Sequence, residues 1–171
     1  MHPCYLRGLI DMSTTETLPC PIAPYVPQSA TMCLLESIMA VDENSLRATV
    51  TPTRDDPFAT ADGIPAWTGL EWMAQAIAAW AGWHASHANR LPATGLLIGT
   101  KRFDTEVEYF ALDSTHEIDI GLDFLADNGL GEFHGVIHHP GGVPMARGKL
   151  TIYQSSHAVS ADDSPAHEES P

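Results

Sequence analysis

The segment that most constrains the fold is residues 67–89. It has no Gly or Pro between Gly69 and Gly82 and is rich in Ala, Met, Leu and Trp. Its large apolar residues (Trp67, Leu70, Trp72, Met73, Ile77, Trp80 and Trp83) surround the helical cylinder instead of marking one stripe. A helix apolar nearly all round must be buried on most sides. At 1.5 Å per residue it would be roughly 30 Å long. The rest of the chain must therefore wrap around it.

The flanking patterns are those of strands. Residues 32–41 are apolar between polar neighbours, and 45–51 alternate as a half-buried strand should. After the helix come 96–109, 116–125, 129–138 and 143–153. Turn signals separate the last three, Ala126-Asp127-Asn128-Gly129 and Pro140-Gly141-Gly142. The expected order is strand, strand, long helix, then four strands in a meander. This is an α+β layer, and a twisted antiparallel sheet wrapped around one long central helix is the hotdog fold.

Composition bounds the organisation. A chain of 171 residues with 44% hydrophobic content fits one domain. Residues 1–24, with four prolines, read as an irregular lead-in; 25–153 form the domain; 154–171 read as a disordered acidic tail. Met12 is an alternative start to Met1. Three irregularly spaced cysteines, Cys4, Cys20 and Cys33, suit neither a disulfide framework nor a zinc site. The lack of a long apolar run or signal-like start leads us to expect a cytoplasmic chain with reduced thiols. Twenty-two acidic against eight basic side chains give a net charge of −14, which argues against nucleic acid and anionic membrane as partners.

Residues 62–75, DGIPAWTGLEWMAQ, carry a more specific signal. They resemble the helix-entry motif of bacterial 3-hydroxyacyl-(acyl-carrier-protein) dehydratases, in which M-P-G precedes a helix carrying E-x-x-A-Q. Ile64-Pro65-Ala66 stands at M-P-G, and Glu71, Ala74 and Gln75 match the helix. The likeness is nearer still to a subgroup found with aryl-polyene pigment clusters. That subgroup reads Y-L-P-H, then G-x-P-A-W-x-G-L-E-Y-M-A-Q, then G-x-L-L-G-T-R-R. Here Tyr25-Val26-Pro27-Gln28 and the run from Gly95 to Arg102 take the first and last places.

The resemblance implies dehydration of a carrier-bound 3-hydroxyacyl thioester to the trans-2-enoyl form, in fatty-acid-like or polyene synthesis, with no cofactor or metal. One group removes the α-proton and another protonates the departing hydroxyl, work suited to a His and a carboxylate. Glu71 is the carboxylate. Gln28, Phe58, Pro65, Ala66, Trp67, Gln75 and Gly99 are the expected substrate-binding positions, with backbone N–H groups at the helix start stabilising the thioester oxygen. Lys101, Arg102, Arg147 and Lys149 are the expected docking site for an acidic acyl carrier protein.

The expected histidines are missing. Fourteen residues before Glu71, where the family has the His of H-F, stands Pro57, and Gln28 replaces the His of Y-L-P-H. A carboxamide cannot act as a general base. The expected assembly is thus a hotdog dimer, either homodimer or heterodimer, with a second chain supplying the His in the latter. The alternatives are a non-catalytic acyl-binding or scaffold subunit, or an acyl thioesterase.

Each residue also has a plainer reading. Thr68-x-x-Glu71 is a capping-box pattern, and Gln75 suits a positioning role beside Glu71. The four tryptophans suit core packing, or else an acyl tunnel. Gly99 either admits a thioester arm or marks a bulge. His84 and His87 suit a polar helix end, and His138-His139 a hairpin turn; His116 and His134 lie on expected strands. With so negative a chain, either the four cations form one basic mouth or a more basic partner receives the carrier.

Overall fold

The computed structural model describes residues 17–90 and 95–154. The expected tail from 155 onward, and residues 1–16 of the lead-in, lie outside these residues. Strands β1 (Cys20–Pro21), β2 (Ser37–Val41) and β3 (Ser45–Val50) are followed by the short β4 (Ile64–Pro65) and helix α1 (Gly69–His87). Then come β5 (Gly95–Thr105), β6 (Tyr109–Phe110), β7 (His116–Leu125), β8 (Leu130–His138) and β9 (Pro144–Gln154).

Seven strands form one antiparallel sheet in the order β1-β2-β3-β7-β8-β9-β5, and β4 pairs with β6. The long helix and wrapping sheet are as expected. The four-strand meander is not: only β7, β8 and β9 follow in sequence. β5 runs to the far edge beside β9, and β7 returns to pair with β3. Hairpin signals identify neighbours only where the turn is short, and none joins β5 to β7.

Two boundaries also differ. The lead-in does not extend to residue 24, because Cys20–Pro21 pairs with β2, and Ile22 and Tyr25 are buried in the core. Residues 32–36 are not strand: a 3-10 turn ends at Met32, and Leu34 and Leu35 are buried beside it.

Alternation is regular on β8 and nearly so on β7 and β9, where Gly121 and Met145 are also buried. His116, Ile118 and Ile120 on β7, Phe133 and Ile137 on β8, and Ala146, Leu150 and Ile152 on β9 all point inward. Trp72, Met73, Ile77 and Ala79 meet them from α1. Each large side chain so buried stabilises the fold by about 1.5–3 kcal/mol, as an upper bound. Gly135 and Gly148, paired across β8 and β9, form a slot for Met73: a Cβ on them would sit 2.6 and 2.8 Å from its sulfur.

The helix begins later than its apolar pattern. Ala66–Thr68 is a 3-10 turn in which Ala66 and Thr68 are buried but Trp67 is 58% exposed. No helix among the described residues is long and apolar enough to cross a membrane.

Candidate active site

A cavity of about 370 Å³ lies along one side of α1. Glu71, Ala74, Ala78 and Ala81 form its helical wall, separated by three or four residues and therefore on one face. Tyr25, Val26 and Gln28 close it on one side, and Leu96 and Leu97 of β5 on another. Among the described residues lining it, Glu71 is the one carboxylate and none is a histidine.

Glu71 is held from within its own helix. Gln75 Nε2 donates to Glu71 Oε1 at 2.9 Å and to the Met32 carbonyl at 2.8 Å, while Gln75 Oε1 accepts from Leu34 N–H at 2.9 Å. Gln75 is completely buried and uses both ends of its carboxamide. The capping box does not form: Thr68 makes no side-chain capping bond, and its hydroxyl is buried without a partner.

The expected substrate residues fall into three groups. Gln28 shares the cavity with Glu71, and its Oε1 is buried without a hydrogen-bond partner. Phe58, Pro65, Ala66 and Trp67 cluster outside that cavity at the helix start, with the Phe58 and Trp67 rings edge-to-face at 5.5 Å. Gly99 lies on the exposed strand β5 at a register shift, and a Cβ there would meet nothing within 4 Å. It marks a bulge.

The helix start also differs from a fully open oxyanion site. Ala66 N–H donates to the Glu108 carbonyl at 2.9 Å, and Gly69 N–H turns back to Ala66 and Trp67 carbonyls. These two donors are committed to the fold.

No described histidine lines the cavity. His84 bonds the Asp42 carbonyl and His87 the Trp83 carbonyl. His134 pairs with Asp123 at 2.6 Å, and His138 with Asp119 at 3.2 Å. His139 is at the turn, beside its own Pro140 carbonyl. His116 is wholly buried; its Nε2–H donates to the Ala111 carbonyl at 3.1 Å, and its Nδ1 has no partner. Burial holds this imidazole below the ordinary histidine range, with His139 adding to the effect and the Ala111 bond opposing it. No three described His, Cys, Asp or Glu side chains are grouped as a metal site.

The tryptophans do not form the tunnel. Trp72 stacks near Phe110 and His116, and Trp80 meets Phe133; Trp83 packs on Tyr25, which lines the cavity, but none of the four tryptophans lines it. Small helix residues provide the space instead. Ala78 and Ala81 carry no motif, and their only sequence signal is helical spacing from Glu71.

The four cations do not form an unopposed basic mouth. Arg102, Arg147 and Lys149 border one surface cleft, but Asp104 and Glu106 border it too. Lys101 pairs with Glu132, Arg102 with Asp104, and Lys149 with Asp123 at 3.3 Å.

An antiparallel sheet of seven strands around one long helix defines a hotdog protein, and its helix carries a carboxylate into a mostly apolar cavity. The chain belongs to the ApeP-like dehydratase family, whose model, described as ApeP dehydratase, matches residues 20–162. It is similar to a chain of the dehydratase heterocomplex ApeI:P from Xenorhabdus doucetiae, at 34% identity and a TM-score of 0.74, covering 80% of this chain and 91% of that one. The E. coli PaaI protein of the phenylacetic acid degradation operon shares the fold at 12% identity and a TM-score of 0.54, covering 68% and 80%. A hypothetical thioesterase from Streptococcus pneumoniae, solved with coenzyme A, does so at 9% and 0.54, covering 69% and 84%. No curated protein sequence gives a significant match.

Proposed function

We propose that this chain is one subunit of a two-chain hotdog dehydratase that converts a carrier-bound 3-hydroxyacyl thioester to the trans-2-enoyl thioester. The observation that carries this reading is the cavity containing Glu71 and no histidine. Dehydration needs two proton transfers. The C2–H pair becomes the C2=C3 double bond as a base takes the proton, and the C3–O bond breaks as an acid delivers a proton to the departing hydroxyl. Glu71 supplies one transfer, and a histidine of the second chain supplies the other. A heterocomplex of this family supports the arrangement.

The surface supports a protein partner as well. β5 is one of the sheet's two edge strands and exposes Leu96, Leu97 and Ile98 consecutively, at 58, 43 and 56%. An apolar open edge of this kind requires cover. A second hotdog chain provides it and places its own site residues beside the cavity wall formed by Leu96 and Leu97. The acid pairing of Lys101, Arg102 and Lys149 favours carrier docking on that second chain.

A second reading is a non-catalytic subunit, favoured by the committed Ala66 N–H. The two readings are tested by assaying the chain alone, a second hotdog chain bearing the histidine alone, and their complex on a 3-hydroxyacyl carrier substrate. The proposed function predicts turnover by the complex and none by this chain alone. Equal turnover by the second chain with and without this one would support the non-catalytic reading.

A further inference from the structure

The cavity extends well past the carboxylate. From Glu71 to Gly82 its helical wall spans about 16 Å. Spread over that length, 370 Å³ corresponds to a mean cross-section of roughly 20 Å², enough for one extended chain. The polar groups are few: Glu71 marks one end of the helical wall, Gln28 stands along one side, and the Tyr25 and Gln154 side chains complete the set.

At Gly82 the helical wall meets backbone. A Cβ on Gly82 would lie 2.1 Å from the Tyr25 carbonyl oxygen, so the 3-10 turn at Ala23–Tyr25 rests directly on the helix there. Tyr25 and Trp83 rings pack at 5.1 Å beside this contact. Ala78 and Ala81 are the last two outward steps of the wall before it.

We infer that the Glu71 cavity is a depth gauge for an unbranched acyl chain, saturated or polyunsaturated, with Ala81 setting its limit and Ala78 an intermediate stop. The inference rests on the reading of this cavity as an acyl-thioester site. Side-chain volume at either position takes space from the chain's distal carbons while leaving the Glu71 end untouched.

The test uses the complete two-chain enzyme and carrier-bound 3-hydroxyacyl substrates of increasing length. Ala81→Leu should lower the long-to-short ratio of kcat/KM by roughly tenfold or more, and Ala78→Leu should move that loss to shorter chains. An equal fall at every length, or an unchanged length profile, overturns the gauge while leaving the dehydratase reading intact. If the complex turns over no 3-hydroxyacyl substrate, the dehydratase reading fails. The gauge is then read from binding of conjugated polyenoic fatty acids of graded length, whose fluorescence reports burial. A length cut-off that shortens in Ala81→Leu supports it; no binding, or the same cut-off in both proteins, overturns it.

Discussion

Gln75 Nε2 lies 2.9 Å from Glu71 Oε1, one helical turn away, and the same carboxamide ties down the backbone at Met32 and Leu34. One side chain thus aligns the candidate acid/base and fastens the N-terminal segment over the helix. Glu71→Gln retains an acceptor for Gln75, whereas Gln75→Ala strands a buried N–H and a carbonyl. Gln75→Ala should cost about 2–4 kcal/mol of stability, and Glu71→Gln less than about 1 kcal/mol. Urea denaturation midpoints of the two variants check this difference.

Gly82 is required by the close approach of Tyr25. Gly82→Ala places a methyl 2.1 Å from a backbone oxygen that cannot swing aside, and should cost about 2 kcal/mol or more. Gly148→Ala meets Met73, whose flexible thioether can repack, and should cost less. Thermal and urea unfolding of both variants will rank them.

His116 predicts an acid limit to stability. Its folded-state pKa lies below the unfolded value of 6.5, so the unfolded chain takes up the proton first. Stability from this group is complete above about pH 6.5 and falls as pH descends from there towards the lowered folded value. The slope is at most about 1.4 kcal/mol per pH unit. His116→Phe, which keeps a ring beside Trp72 and Phe110, should flatten the dependence in unfolding measured from pH 7.5 to 5.5.

The β5 edge predicts the assembly surface. Ile98→Lys places a charge among exposed Leu96 and Leu97 and should abolish co-purification with the second hotdog chain without unfolding this one. Light scattering on the mixed chains, with circular dichroism of the variant, checks both parts.

The helix and its wrapping strands were legible because their periods are local properties. An apolar surface all round marks α1, alternation marks β3, and the two turn signals mark off β7, β8 and β9. The seat of β5 was not legible, since pairing β9 across intervening strands leaves no turn signature. The β1 contact was hidden by prolines at 19 and 21, which read as loop although Cys20 pairs with Ile38. At the site, the motif grouped Phe58, Pro65, Ala66 and Trp67 with Glu71 and Gln75. Those four stand at the helix start outside the cavity, and Ala78 and Ala81 line it instead. Motif spacing records residues near one another in sequence; the cavity wall is set by how far the Tyr25 segment folds back over the helix.

In the proposed enzyme this chain contributes its carboxylate to chemistry completed by another chain's histidine. That contribution is tested most directly by the dehydration rate of the assembled two-chain enzyme carrying Glu71→Gln, with assembly confirmed in the same sample. The account predicts a loss of roughly 10²-fold or more in an intact complex. An intact complex that keeps the full rate would contradict it and leave this chain a scaffold.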